Sequence, residues 1–370
     1  MKKQLLSFIV FSILSFNAFA QISNKIARVL EYRPAPGQHI NRLFPTPEMS
    51  STPENALRFA ENSLIENNSA IGLGTFGGYV IVGFDHPIVN VKGEYDLQGL
   101  GNASPNGAEP GIVMVCQDLN KNGKPDSNEP WYELAGSEYN HPETIKDYVV
   151  TYYRPQPDGE KSNITWKDNQ GNKGEITHIN FAPQATIYPL WIAADSLTFK
   201  GNKLRETVYN DGIYRLPAFE WGYVDNQPNS ESIDKNGFKI DWAVDSHGNQ
   251  IDLNYIDFVK VYTAQLQEAG WLGETSTDFR GIVDMHPYAQ LPSGADNTNH
   301  NDIIIYLINN ILIISGIETI QEIEVFALSG EKLLHGTNTQ ILDVSTLPKG
   351  VYVVRLKSKN RQLTKKIIVG

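Results

Sequence analysis

The sequence predicts an all-β protein: a jelly-roll-like β-sandwich body with one short N-terminal helix, followed by a small Ig-like β-sandwich C-terminal domain. Three observations predict it. Aromatic residues are abundant, with 17 Tyr, 15 Phe and 6 Trp, and such side chains favour the pleated, half-buried surface of a sheet. Runs with helical spacing are rare, while 30 Gly and 20 Pro punctuate the chain. Short apolar runs recur between turn signals such as Asn106-Gly107, Asp211-Gly212 and Asn236-Gly237, the pattern of sandwiches and jelly rolls.

Residues 1–20 read as a signal peptide. Lys2 and Lys3 precede the apolar run Leu5 to Phe16, and Ala18-Phe19-Ala20 fits a small-x-small cleavage site. The run is too short to span a membrane, and no later segment reaches about 18 uninterrupted apolar residues. The body is assigned to residues 21–291. It opens with the strand-like Val29 to Tyr32. Thr52-Pro53-Glu54 then starts a helix, with Pro at the first helical position and an acid in the first turn. Ala56, Phe59, Ala60, Ser63 and Leu64 supply its apolar face. After it the reading is β throughout: Tyr79 to Phe84, Gly111 to Cys116, Trp131 to Leu134, Val149 to Tyr153, Ile176 to Phe181, Phe238 to Val244 and Ile256 to Tyr262. Residues 292–302, rich in Ser, Gly, Asn and Thr, form a linker. Residues 303–370 form the second domain, where Tyr352, Val354 and Leu356 alternate with Val351, Val353 and Arg355 after the turn Pro348-Lys349-Gly350.

The net charge of −11 argues against nucleic-acid and anionic-membrane partners. It suits a soluble extracellular protein that binds cations. Cys116 is the single cysteine, so no internal disulfide forms. It ends an apolar strand and reads as a buried thiol.

The sharpest chemical signal runs from Asp118 to Glu129. Against the twelve-residue calcium loop, Asp118, Asn120 and Asn122 take positions 1, 3 and 5, and Gly123 takes the sharp turn at 6. Lys124 offers its carbonyl at 7, Asp126 stands at 9 and Glu129 at 12. Hard oxygen donors at these spacings point to Ca2+. Apolar segments of strand type flank the loop, so the expected role is structural: one calcium ion that fixes two strands. No HExxH, GxSxG or phosphate-binding loop occurs, and no catalytic residue is assigned. A ligand-stacking surface is expected at Trp221, Tyr223 and Trp271, whose small or polar neighbours suggest loops.

Two resemblances add to this reading. VFALSGEKLL, LDVSTLPKGVYVVRLK and the closing KKIIV resemble the type A C-terminal sorting domain of the type IX secretion system of Bacteroidota. The proline-rich opening turn of that family is missing at Ile305 to Asn310. The resemblance implies a secreted or cell-surface protein that engages the type IX machinery. GGYVIVGFDHPIVN, YDLQGLGN and EPGIVMVCQDLNKNGKPDSNEPWYELAGSEY resemble a family of Bacteroidota surface proteins described as PKD-like, some of which accompany corrinoid uptake. That family carries the calcium-like loop and no transferable catalytic residues. The expected function is a calcium-stabilised surface binding protein that captures a corrinoid, a glycan or another surface partner. A secreted polysaccharide hydrolase and a structural or adhesive protein are the alternatives.

Overall fold

The computed structural model describes residues 23–41, 52–156, 161–180, 182–289, 304–308, 310–315, 320–358 and 362–369. The expected signal peptide (1–20) and linker (292–302) lie outside the described residues. The described chain is all-β with one substantial helix. No helix among the described residues is long and apolar enough to cross a membrane.

The helix spans Pro53–Glu61 and continues as a wider turn over Asn62–Glu66. The side chain of Thr52 caps it by accepting from the Asn55 amide at 3.2 Å, which satisfies one of the free amides of the first turn. Ala56, Phe59, Ala60, Ser63 and Leu64 are buried.

A six-stranded sheet organises the body, in the spatial order Arg28–Arg33, Tyr79–Val89, Tyr255–Thr263, Gly111–Cys116, Tyr132–Leu134 and Ala243–Val244. All its pairings are antiparallel. Its two faces serve two cores, because alternate residues point to opposite sides. Val80, Val82, Val113, Val115, Val259 and Val261 face one core, with helix residues Phe59 and Leu64 and with Leu97, Phe238 and Ile282 of a three-stranded sheet. Ile112 and Tyr262 face the other. There they meet Tyr148, Val150, Tyr152, Leu197 and Phe199 of a four-stranded sheet built from Ser196–Lys203, Ile145–Tyr153, Ile164–Asp168 and Lys173–Ile176.

Two expected strands differ. Phe238 to Val244 is broken by a helical turn at Ile240–Trp242. Side chains claim the backbone there: Asp96 accepts from the Ile240 amide at 2.8 Å, and Asp241 accepts from the Gly93 amide at 2.8 Å. Such bonds compete with a ladder. The strand expected at Ile176 to Phe181 ends at Ile176.

The C-terminal domain has its own core, including Leu312, Ile314, Ile323, Val325, Val354 and Leu356. It packs a three-stranded sheet (Ile304–Ile308, Ile311–Ser315, Ile341–Asp343) with a four-stranded one (Lys332–Thr337, Glu322–Ala327, Gly350–Lys357, Gln362–Val369).

Candidate functional site

The loop from Asp118 to Glu129 connects two paired strands of the central sheet, Gly111–Cys116 and Tyr132–Leu134. Lys121 and Gly123 adopt positive φ, 59° and 80°, and these two left-handed positions curl the loop inward. Its polar side chains converge. The Asp118 carboxylate accepts from the amides of Asn122 (3.0 Å) and Gly123 (2.7 Å). Glu129 accepts from Leu119 (2.7 Å) and Asp126 (2.8 Å). Asp126 accepts from the side-chain amides of Asn120 and Asn122, each at 2.6 Å. The amide oxygens of Asn120 and Asn122 accept from the backbone of Asn122 and Lys124 at 3.0 and 2.8 Å. The five predicted side chains are therefore joined in one hydrogen-bonded network, with Asn120 and Asn122 exposed.

A fourth acid joins them from the middle strand. Pairing of Phe258 with Cys116 brings Asp257 to the loop, where its carboxylate accepts from the Asp118 amide at 2.7 Å. Burial, then the charges of Asp118 and Glu129, push the Asp257 carboxyl up to about 6. Burial and the same carboxylates push the Cys116 thiol to about 12, so the thiol is unreactive. Concentrated negative charge of this kind suits a bound cation. Among the described residues, however, no group of three or more His, Cys, Asp or Glu side chains is arranged by itself to hold a metal. The fit to calcium depends on the Asn amide oxygens and on a backbone carbonyl, both ordinary ligands of a hard ion.

The three predicted aromatic residues are separated. Tyr223 is buried in the second core and its hydroxyl accepts from the Glu138 amide at 3.0 Å. Trp221 is half-buried against Trp242, with ring centroids 4.6 Å apart. Trp271 is 66% exposed, and it stands at a cavity of about 360 Å3 lined by Gln38, His39, Glu109, Leu216 and Glu274.

The acids of this cavity were not singled out by sequence. Glu274 is only 1% exposed. One of its oxygens accepts from the Gln38 amide at 2.7 Å; the other has no hydrogen-bond partner. Glu109 accepts from the Ser276 amide at 3.1 Å. Burial, then the neighbouring Asp278 carboxylate, raises the Glu109 carboxyl to about 8, and burial raises Glu274 well above the usual carboxylate range. Behind Glu109, Asp225 accepts from the amides of Asp278 (2.8 Å) and Asn102 (2.7 Å). Among the described residues, no Lys or Arg forms an ion pair with Glu109, Asp225, Glu274 or Asp278.

Residues 308–370 match the secretion system C-terminal sorting domain. The tail therefore directs the chain through type IX secretion, to the cell surface or the medium. No curated protein matches the chain.

Proposed function

We propose that the body is a calcium-braced binding protein, displayed or released outside the cell by its sorting tail, and that it captures a glycan in the cavity beneath Trp271. The observation that carries this reading is the meeting, at one cavity, of an exposed indole and the buried polar side chains of Gln38 and Glu274. A sugar ring asks for both. Its C–H face stacks on an aromatic surface, and its hydroxyls exchange hydrogen bonds with Gln38, Glu109 and Glu274. Calcium would be held by the side chains of Asp118, Asn120, Asn122, Asp126 and Glu129 with the Lys124 carbonyl, and it would add positive charge to that of Arg28 beside the Asp257 cluster.

A corrinoid fits less well. That macrocycle exceeds a cavity of about 360 Å3 and would offer it only a side arm. Hydrolysis is favoured by one observation: Glu109 and Glu274 line the same cavity, and a carboxyl kept protonated beside another acid is the acid half of a glycosidase pair.

Calorimetric titration of the full chain with a glycan panel tests the reading. Binding is expected, and Trp271→Ala should weaken it about tenfold without changing the melting temperature. Failure of every glycan to bind overturns it. Release of reducing ends during the titration, lost in Glu109→Gln, would make the protein a hydrolase instead.

A further inference from the structure

The cavity beneath Trp271 combines three features that a neutral ligand does not use together. The first is a group of acids with no Lys or Arg partner among the described residues. Glu109 and Glu274 line the cavity, Asp225 and Asp278 lie behind Glu109, and none of the four is ion-paired to Lys or Arg among the described residues. The second is an orphan acceptor: the Glu274 oxygen that no donor reaches belongs to a side chain only 1% exposed. A buried acceptor without a donor is costly, and a ligand N–H removes that cost. The third is Trp271, 66% exposed at the same cavity. An indole face attracts a cation as well as the apolar side of a ring.

We infer that the ligand of this cavity is an amino sugar, whose ammonium group sits against Glu274 and Glu109 while its ring lies on Trp271. This rests on the capture reading above and narrows it. The cavity is near the lower end of small-molecule sites, about 300–1,000 Å3, which suits a terminal sugar rather than a polymer cleft. Among the described residues, two carboxyl groups line it, a donor set better matched to one ammonium group than to a bare metal ion. Gln38 is held in place for recognition. Its amide nitrogens donate to Glu274, the backbone one at 2.7 Å and the side-chain one at 3.3 Å. Its side-chain oxygen lies about 3.0 Å from where a Cβ on Gly273 would stand.

The surrounding charges fix a second signature. Glu109 faces Asp278 and Asp225, Glu274 faces Glu109 and Glu268, and His39 lies near Asp278. Among the described residues these neighbours are acidic except for His39, and burial with the Asp278 carboxylate raises the Glu109 carboxyl to about 8, so it holds its proton in the free protein at neutral pH. An ammonium ligand expels a proton on binding; a neutral sugar does not.

The test compares glucosamine oligomers with the matching N-acetylglucosamine and glucose oligomers, by calorimetry on the unmodified full chain in two buffers of different ionisation enthalpy. The inference expects the free-amine oligomer to bind about tenfold or more tightly, with proton release, and expects Glu274→Gln to remove that preference while the melting temperature is retained. Equal or tighter binding of the acetylated or plain sugar, without proton release, overturns the amino-sugar assignment and leaves glycan capture standing. Binding of none of the three overturns the inference, and it removes the capture reading too if the wider panel also fails.

Discussion

Gly270 decides where Trp271 stands. Its φ is +56°, and a Cβ there would lie 2.1 Å from the Tyr214 ring and hydroxyl. Gly270→Ala must therefore move either the backbone or Tyr214. The expected cost is about 1–3 kcal/mol in denaturant unfolding, together with loss of glycan affinity; an unchanged midpoint would contradict it. Glycine neighbours are an ambiguous guide from sequence alone. Beside Trp271 the glycine marks an exposed loop. Beside Tyr223 it marks the reverse: Gly222 packs on Gly136, whose Cα would meet its Cβ at 2.5 Å, and Tyr223 goes inward. The same residue type relieves crowding in one place and opens a turn in the other, and only the fold tells them apart.

At the scale of elements, the loop between Asp118 and Glu129 was legible because its donors are spaced along one short segment. Asp257, Glu109 and Glu274 were not, because strand register brings them to their partners across the sheet. The break within Phe238 to Val244 was hidden for a related reason, since Asp96, far away in the chain, takes the Ile240 amide. The loop carries its own prediction. Saturating calcium should raise the melting temperature relative to chelator, because a ligand at about 100 times its dissociation constant stabilises by about 2.7 kcal/mol. Asp118→Ala should abolish the difference. Identical melting curves in calcium and chelator would remove the bound ion from the picture.

For the whole molecule, the dominant electrostatic fact is a set of carboxyl groups shifted upward. Asp96 and Glu109 reach about 8 and Glu133 about 7, each chiefly through burial; Asp225, Glu274 and Asp278 rise in the same direction. Folded values above unfolded ones mean that the native state holds these protons more tightly. Stability is then greatest below the unfolded value of about 4 and falls as pH rises through about 7 to 8. In chelator, the melting temperature at about pH 6 should exceed that at about pH 8.5. A flat or opposite trend would mean that compensating charges, or a bound cation, neutralise the set. The all-β architecture itself was readable from alternation and turn signals, and the sorting tail from the resemblance of its closing segments to that family. The use of both faces of the central sheet was harder to see, since Val80, Ile81 and Val82 form an unbroken apolar run.

Cys116 offers a practical handle. It is the single thiol of the chain, fully enclosed at the strand end where the acidic hairpin begins. A thiol-directed dye can reach it only when that corner comes apart, so the labelling rate reads out local breathing without any engineered probe. It also leaves an exported molecule with no sulfur to scramble, and no route to covalent dimers while it stays closed.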